Sequence, residues 1–136
     1  PTGDQGTQVW IYILNEGGTD LAAGHVVMRN TTSTGVKGVI STAATLIPAI
    51  RILGVAQHAI ASGSYGFVLR KGIGKVLIGT GAGGVADVTA LTCIGAEAGS
   101  AEAFAAGTTA PACVFGLSVA TIAAGATGNC WINCIG

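Results

Sequence analysis

"ILGVAQHAIASGSYGFVLRKGIG" (Ile52–Gly74) decides the fold, because it lies without a gap over "VFGLSVATIAAGATGNCWINCIG" (Val114–Gly136). Gly54 meets Gly116, Ile60 meets Ile122, Ala61 meets Ala123, Gly63 meets Gly125, Gly66 meets Gly128, Ile73 meets Ile135 and Gly74 meets Gly136. These are seven identities in 23 positions, where the Gly and Ala bias alone gives roughly two. Ile52/Val114, Leu53/Phe115, Val55/Leu117 and Val68/Cys130 match in apolar character. The shared unit reads as strand, I-A-x-G-x-x-G turn, strand, which is a β-hairpin. Gly63 and Gly125 are therefore expected at equivalent turn sites.

Outward from the repeat, short apolar runs bounded by turn residues predict further strands. These are Gln8–Leu14, His25–Asn30, Arg51–Ala59, Tyr65–Lys71, Lys75–Thr80, Cys113–Thr121 and Asn129–Ile135, with "VKGVIST" weaker. Only "ISTAATLIPAIRI" and "GAEAGSAEAFAAG" have helical character; the first is broken at Pro48 and the second interrupted at Gly99. The expectation is an all-β chain, a small β-barrel or tulip-like domain with an internal hairpin repeat and an extended N-terminal arm. The arm or first strand spans residues 1–18, and one barrel domain spans 19–136, with repeat halves near 19–80 and 81–136.

The 136 residues are 50% apolar and 9% charged, with 23 glycines and as many alanines. Ordinary soluble domains carry about 25% charge. So thin a charge complement leaves apolar surface uncovered, which points to an assembly component. All six basic residues lie between Arg29 and Lys75, and the six acids flank them. Dispersed charges on a neutral chain, without interleaved aromatics, make no phosphate track, and no nucleic-acid partner is expected. A basic face meeting an acidic face on a neighbour fits the pattern. Nothing near the start resembles a leader. The four cysteines have no metal-ligand spacing and read as buried, unpaired thiols.

Three sharper readings fail on these residues. Ala103–Gly136 carries no charge, but its repeat partner contains His58, Arg70 and Lys71, so no membrane span is expected. His58 with Ser62 or Ser64 suggests nucleophilic catalysis, yet the other copy has Ala120, Ala124 and Ala126 there. "KVLIGTGAGGVAD" (Lys75–Asp87) contains G-x-G-x-x-G, but the residues after Gly84, "VADVTALTCIG", are rich in β-branched side chains and do not read as the helix a dinucleotide site needs. That stretch is expected to be a mobile turn between the halves. No enzyme, cofactor or metal is expected.

"TDLAAGHVVMRN", "ILGVAQHAIASGSYGFVLRKGIGKVLIG" and "VFGLSVATIAAGATGNCWINC" resemble the small capsid decoration (cement) proteins of tailed bacteriophages. The likeness runs from Thr19 onward and rests on structural glycines and apolar positions. His25 stands where an acid is commoner, and Ala86-Asp87 where a Gly-acid turn is expected. The resemblance implies a small β-barrel or tulip fold that binds the outside of an expanded capsid, usually as a homotrimer at threefold and quasi-threefold positions. It implies the major capsid protein and sister subunits as partners, the virion surface as location after assembly in the host cytoplasm, and no catalytic residues. A capsid-surface binding module or head fibre recognising host glycans is the alternative, favoured if Trp10, Trp131 and a carboxylate share an exposed face.

"TQVWIYILN" (Thr7–Asn15) lies outside the duplicated hairpins. Val9, Ile11 and Ile13 face one side of a strand, and Trp10, Tyr12 and Leu14 the other. Apolar on both faces, the strand must be central in a sheet or covered by a neighbouring chain. Val9, Trp10, Ile11, Tyr12 and Ile13 are the candidate capsid or subunit interface, with Trp10 and Tyr12 as anchors. The rival is a first core strand of the chain's own barrel.

Overall fold

The computed structural model describes residues 6–32, 34–42, 49–93, 97–104 and 114–135. Among the described residues nine strands form one sheet: β1 (Val9–Asn15), β2 (Val26–Arg29), β3 (Lys37–Ile40), β4 (Ile52–Ala56), β5 (Tyr65–Leu77), β6 (Ala90–Thr92), β7 (Glu102–Ala103), β8 (Val114–Ser118) and β9 (Thr127–Asn133). Single 3-10 turns occupy Ala49–Arg51 and Thr80–Ala82, and no α-helix occurs among the described residues. The all-β expectation holds. Cys113, Pro48 and parts of both helix-like stretches (43–48, 95–96 and 105–107) lie outside the described residues.

Five strands close a ring. β1 pairs antiparallel with β5 and parallel with β3, and β3, β2, β4 and β5 follow as antiparallel neighbours. β1 is thus paired on both edges, which is how a strand apolar on both faces avoids a solvated edge. A second ring repeats the plan. The C-terminal half of β5 pairs with β9, followed by β8, β6 and β7, and a parallel bridge from Ala101 to Ile78 returns to the end of β5.

The pairing registers carry the duplication well beyond the hairpins. Val26, Val27 and Met28 of β2 face Val55, Gly54 and Ile52 of β4, with a register shift between Val27 and Met28. Ala90, Leu91 and Thr92 of β6 face Leu117, Gly116 and Val114 of β8, with the shift between Leu91 and Thr92. The bridge Leu21↔Ile60 has its counterpart in Val85↔Ile122. Gly63 and Gly125 sit at the equivalent turn with φ of 78° and 73°, the left-handed region that favours glycine. The units meet inside β5 at Gly72, whose φ is 122°. The two strands expected at 65–71 and 75–80 are one 13-residue strand, because glycines at 72 and 74 bend it without turning it back. Its first half closes the first unit and its second half opens the second.

The cores follow the same plan. Ile13, Leu21, Val27, Leu53, Ala56, Ile60 and Val68 fill the first ring. Val76, Val85, Leu91, Phe115, Ile122 and Cys130 fill the second. The second cluster also takes in Val26, Met28, Ile52, Val55 and Leu69, residues on the outer face of the first ring. One unit's flank therefore packs against the other's core. Backbone hydrogen bonds from Val26 N–H to Gly99 O (2.8 Å) and from Leu77 N–H to Gly24 O (2.9 Å) fasten the contact. Cys93, Cys130 and Cys134 are buried, and burial pushes the free Cys130 thiol up to about 11.

Candidate interface

From Trp10 onward β1 divides its side chains as its alternation requires, and a register shift between Val9 and Trp10 leaves Val9 exposed at the strand's start. Ile13 is buried and Ile11 half-buried inside the first ring, while Val9, Trp10 and Tyr12 are exposed. The β1–β5 register sets Tyr12 opposite Phe67 and Leu14 opposite Tyr65. The Tyr12 ring stacks on Tyr65 with centroids 5.4 Å apart and planes 12° from parallel, and lies 4.8 Å from Phe67 at 48°. All three rings are more than half exposed, from 51% at Phe67 to 62% at Tyr65. Tyr65 and Phe67 were not among the sequence candidates. The signal was there: in "YGFVLRK" they alternate with Gly66 and Val68, so an inward Val68 puts both rings outward.

The duplication supplies an internal control. In the second unit the positions of Tyr12, Phe67 and Tyr65 are held by Lys75, Asn129 and Thr127, paired Lys75↔Asn129 and Leu77↔Thr127. The same backbone stands there without an aromatic, so the fold does not require this cluster. Three preorganised rings on rigid, paired strands offer large apolar area with little side-chain freedom left to lose, the property of a protein-binding surface.

Trp10 also lines a cleft of about 280 Å3 where the units meet, with Gln8, Gln57, Ile73, Lys75 and Asn129. Its glutamines are engaged. Gln57 donates from Nε2 to Lys75 O (3.0 Å) and accepts from Lys75 N–H on Oε1 (2.8 Å), and Gln8 Nε2 donates to Ile73 O (3.1 Å). They clamp β5 past its bend. Trp131 stands across from Ile73 on β9, and among the described residues no carboxylate lines the cleft.

Three of the six basic side chains are engaged within the chain. Lys37 pairs with Glu16 at 2.7 Å, Arg70 donates to Cys134 O and Ile135 O, and Arg51 to Arg29 O. At the glycine-rich stretch, the chain runs from the Thr80–Ala82 turn directly into the Val85 bridge. A carboxylate of the same chain occupies the place a phosphate would need: Glu97 accepts from the Thr80 N–H and hydroxyl. His58 Nδ1 lies against Ala59 O, and the Ser62 N–H is capped by Asp20. Among the described residues no three His, Cys, Asp or Glu side chains gather as metal ligands.

No protein-family model and no curated protein matches the chain. Among solved structures, the N base of head fiber gp8.5 in bacteriophage phi29 aligns with a TM-score of 0.60, covering 93% of this chain and 95% of that one at 17% identity. The fold is similar to that of a head-fibre base. That neighbour belongs to a phage head, the setting that the sequence resemblance implies. At 17% identity the likeness is one of architecture, and it spans both units.

Proposed function

We propose that the chain is a structural protein of a phage virion that binds the outside of the capsid and stabilises it, assembled in the host cytoplasm, with the major capsid protein and sister subunits, as a homotrimer, for partners. The observation that carries this reading is the fold shared with a head-fibre base over nearly the whole of both chains. The aromatic surface adds a contact site: Trp10 and Tyr12 face outward on the side of Tyr65 and Phe67, Val9 is exposed at the strand's start, and Ile11 and Ile13 anchor the strand in the barrel. Docking three preorganised rings costs little side-chain entropy, so they suit a permanent contact with the head. No catalytic role is proposed.

The test is co-sedimentation with heads of the parent phage. Tyr12→Ser with Phe67→Ser should leave the melting temperature nearly unchanged, since both rings are more than half exposed, and weaken binding at least about tenfold, an interface loss of about 1.4 kcal/mol or more. Full-strength binding by the double variant removes this surface from the contact. Failure of the unaltered protein to bind heads removes the reading itself. A head fibre reading host glycans is the second possibility, resting on the same neighbour. The engaged glutamines of the Trp10 cleft count against a sugar site there.

A further inference from the structure

The loop 86–89 departs from its own repeat. The bridge Val85↔Ile122 is the counterpart of Leu21↔Ile60, so Asp87 stands where the first unit has Ala23 and Val88 where it has Gly24. At the end of β8, Ser118 stands where β4 has Ala56. Gly24 has a φ of 93° and Val88 one of 55°. A β-branched side chain is strained in this left-handed region and glycine is not. The second unit nevertheless carries valine there, 70% exposed. Ser118 holds the loop in this form. Its hydroxyl accepts the Thr89 N–H (2.8 Å) and donates to Ala86 O (2.6 Å), and its carbonyl accepts the Val88 N–H (3.1 Å). The first unit makes the matching turn with the Gly24 N–H on Ala56 O and no hydroxyl. The fold therefore requires neither the strain nor the clamp nor the carboxylate, and strain kept without a structural need points to function.

Charge is left over in the same places. Among the described residues, Asp87 is the acid whose carboxylate has no partner: Glu16 pairs with Lys37, Asp20 caps Ser62, Glu97 accepts from Thr80, and Glu102 is engaged. On the first unit, Arg29 ends β2 and Arg51 precedes β4, and the pair Met28↔Ile52 makes them neighbours. Both are half-buried. Arg51 Nη2 reaches only Arg29 O, at 3.4 Å, and its Nε is buried without an acceptor. No described carboxylate answers these two like charges, whereas Lys71 and Lys75 stand exposed to water, where an ammonium needs no partner.

We propose that Asp87 and Val88 hold a second copy of this chain, the carboxylate being received by the Arg29 and Arg51 guanidinium groups of the neighbour. Charge complementarity chooses the occupant. Residues 6–72 carry five bases and two acids, and residues 73–135 carry one base and three acids, among those described. Setting the first unit of one copy on the second unit of another joins opposite surpluses, while like units would repel. The guanidinium fork suits a carboxylate, and Val88 adds apolar area beside it on a loop with little freedom left to lose. This contact deepens the sister-subunit part of the proposed function and rests on it.

The test is sedimentation equilibrium of the full chain without heads. The unaltered protein should self-associate, and more weakly as salt rises from about 0.05 to about 0.5 M. Asp87→Arg and Arg51→Glu should each weaken association at least about tenfold. The double variant, with the signs exchanged, should recover most of the loss. Should Arg51→Glu fail to fold, Arg29→Glu takes its place. Val88→Gly should leave the melting temperature level or higher, since glycine is unstrained at that φ, and yet weaken association. A monomeric unaltered protein, full-strength association in Asp87→Arg or Val88→Gly, or a double variant no better than the single ones overturns the inference. Failure to bind heads, with these association results intact, bears on the capsid contact alone, so the two failures are told apart.

Discussion

The His25 ring closes a tight turn on its own backbone. Nδ1 accepts the Ala22 N–H at 3.1 Å in the tight turn before β2. That bond needs an unprotonated nitrogen, and burial holds the imidazole below its usual value near 6.5. Because the folded state resists protonation, the unfolded chain binds more protons as the pH falls below 6.5. Stability is therefore complete above 6.5 and declines with falling pH until the folded-state value is passed. Melting temperatures measured from about pH 7.5 to about pH 5 should fall across this window in the unaltered protein. In His25→Asn, whose amide oxygen also accepts a hydrogen bond but does not titrate, the contribution of this site to the fall should vanish. Equal slopes for the two proteins exclude His25 as the titrating group.

The repeat hairpin is held by a side chain seated on a glycine. A Cβ on Gly128 would lie 2.4 Å from Ile122 Cγ1, and one on Gly66 would lie 2.7 Å from Ile60 Cγ1. Both distances are below contact, and in each case the isoleucine is the residue bridged to the preceding turn. Gly128→Ala and Gly66→Ala should each cost about 1–3 kcal/mol in urea unfolding, the usual penalty of an overfilled site. Ile122→Ala should recover part of the Gly128→Ala loss, so the double variant is more stable than the sum of the two single changes. Strict additivity shows that the two sites do not share this contact. These glycines and isoleucines were legible because the sequence repeats them. The weak "VKGVIST" stretch became β3, since its partners β1 and β2 lie elsewhere in the chain and local composition does not announce them. β7, two residues long, gave no periodicity to read. The single β5 was hidden because glycines that normally mark turns here mark a bend under lateral pairing.

At the scale of the molecule, the two units share a strand and a core cluster. Leu53 belongs to the first ring's interior and Phe115 to the second's, yet Val26, Val55 and Leu69 join the first ring's outer face to the second core. Neither unit keeps its buried surface if the other unfolds, so unfolding should be a single cooperative transition. Leu53→Ala, about 2–5 kcal/mol, and Phe115→Ala, about 3–5 kcal/mol, should lower one common midpoint as followed by tryptophan fluorescence and circular dichroism. Trp10 reports the first unit and Trp131 the second, and two separated transitions refute the shared core. The barrel class was readable from strands and turns. The aromatic patch was readable only in part, because Tyr12 meets Tyr65 and Phe67 through a long-range pairing of β1 with β5 that no local pattern encodes.

Lys71 is the partner of Val9, where the first strand starts, and of Asn133, where the last one stops. Entry into the nine-stranded sheet and exit from it are thus neighbours. Any polypeptide joined ahead of β1 or behind β9 leaves from one place, and the rest of the surface is clear of tethers. Such a body works as a plug-in module: it can be spliced into a loop of another protein or hung from one by either end, and its Tyr12–Tyr65–Phe67 surface stays where it was.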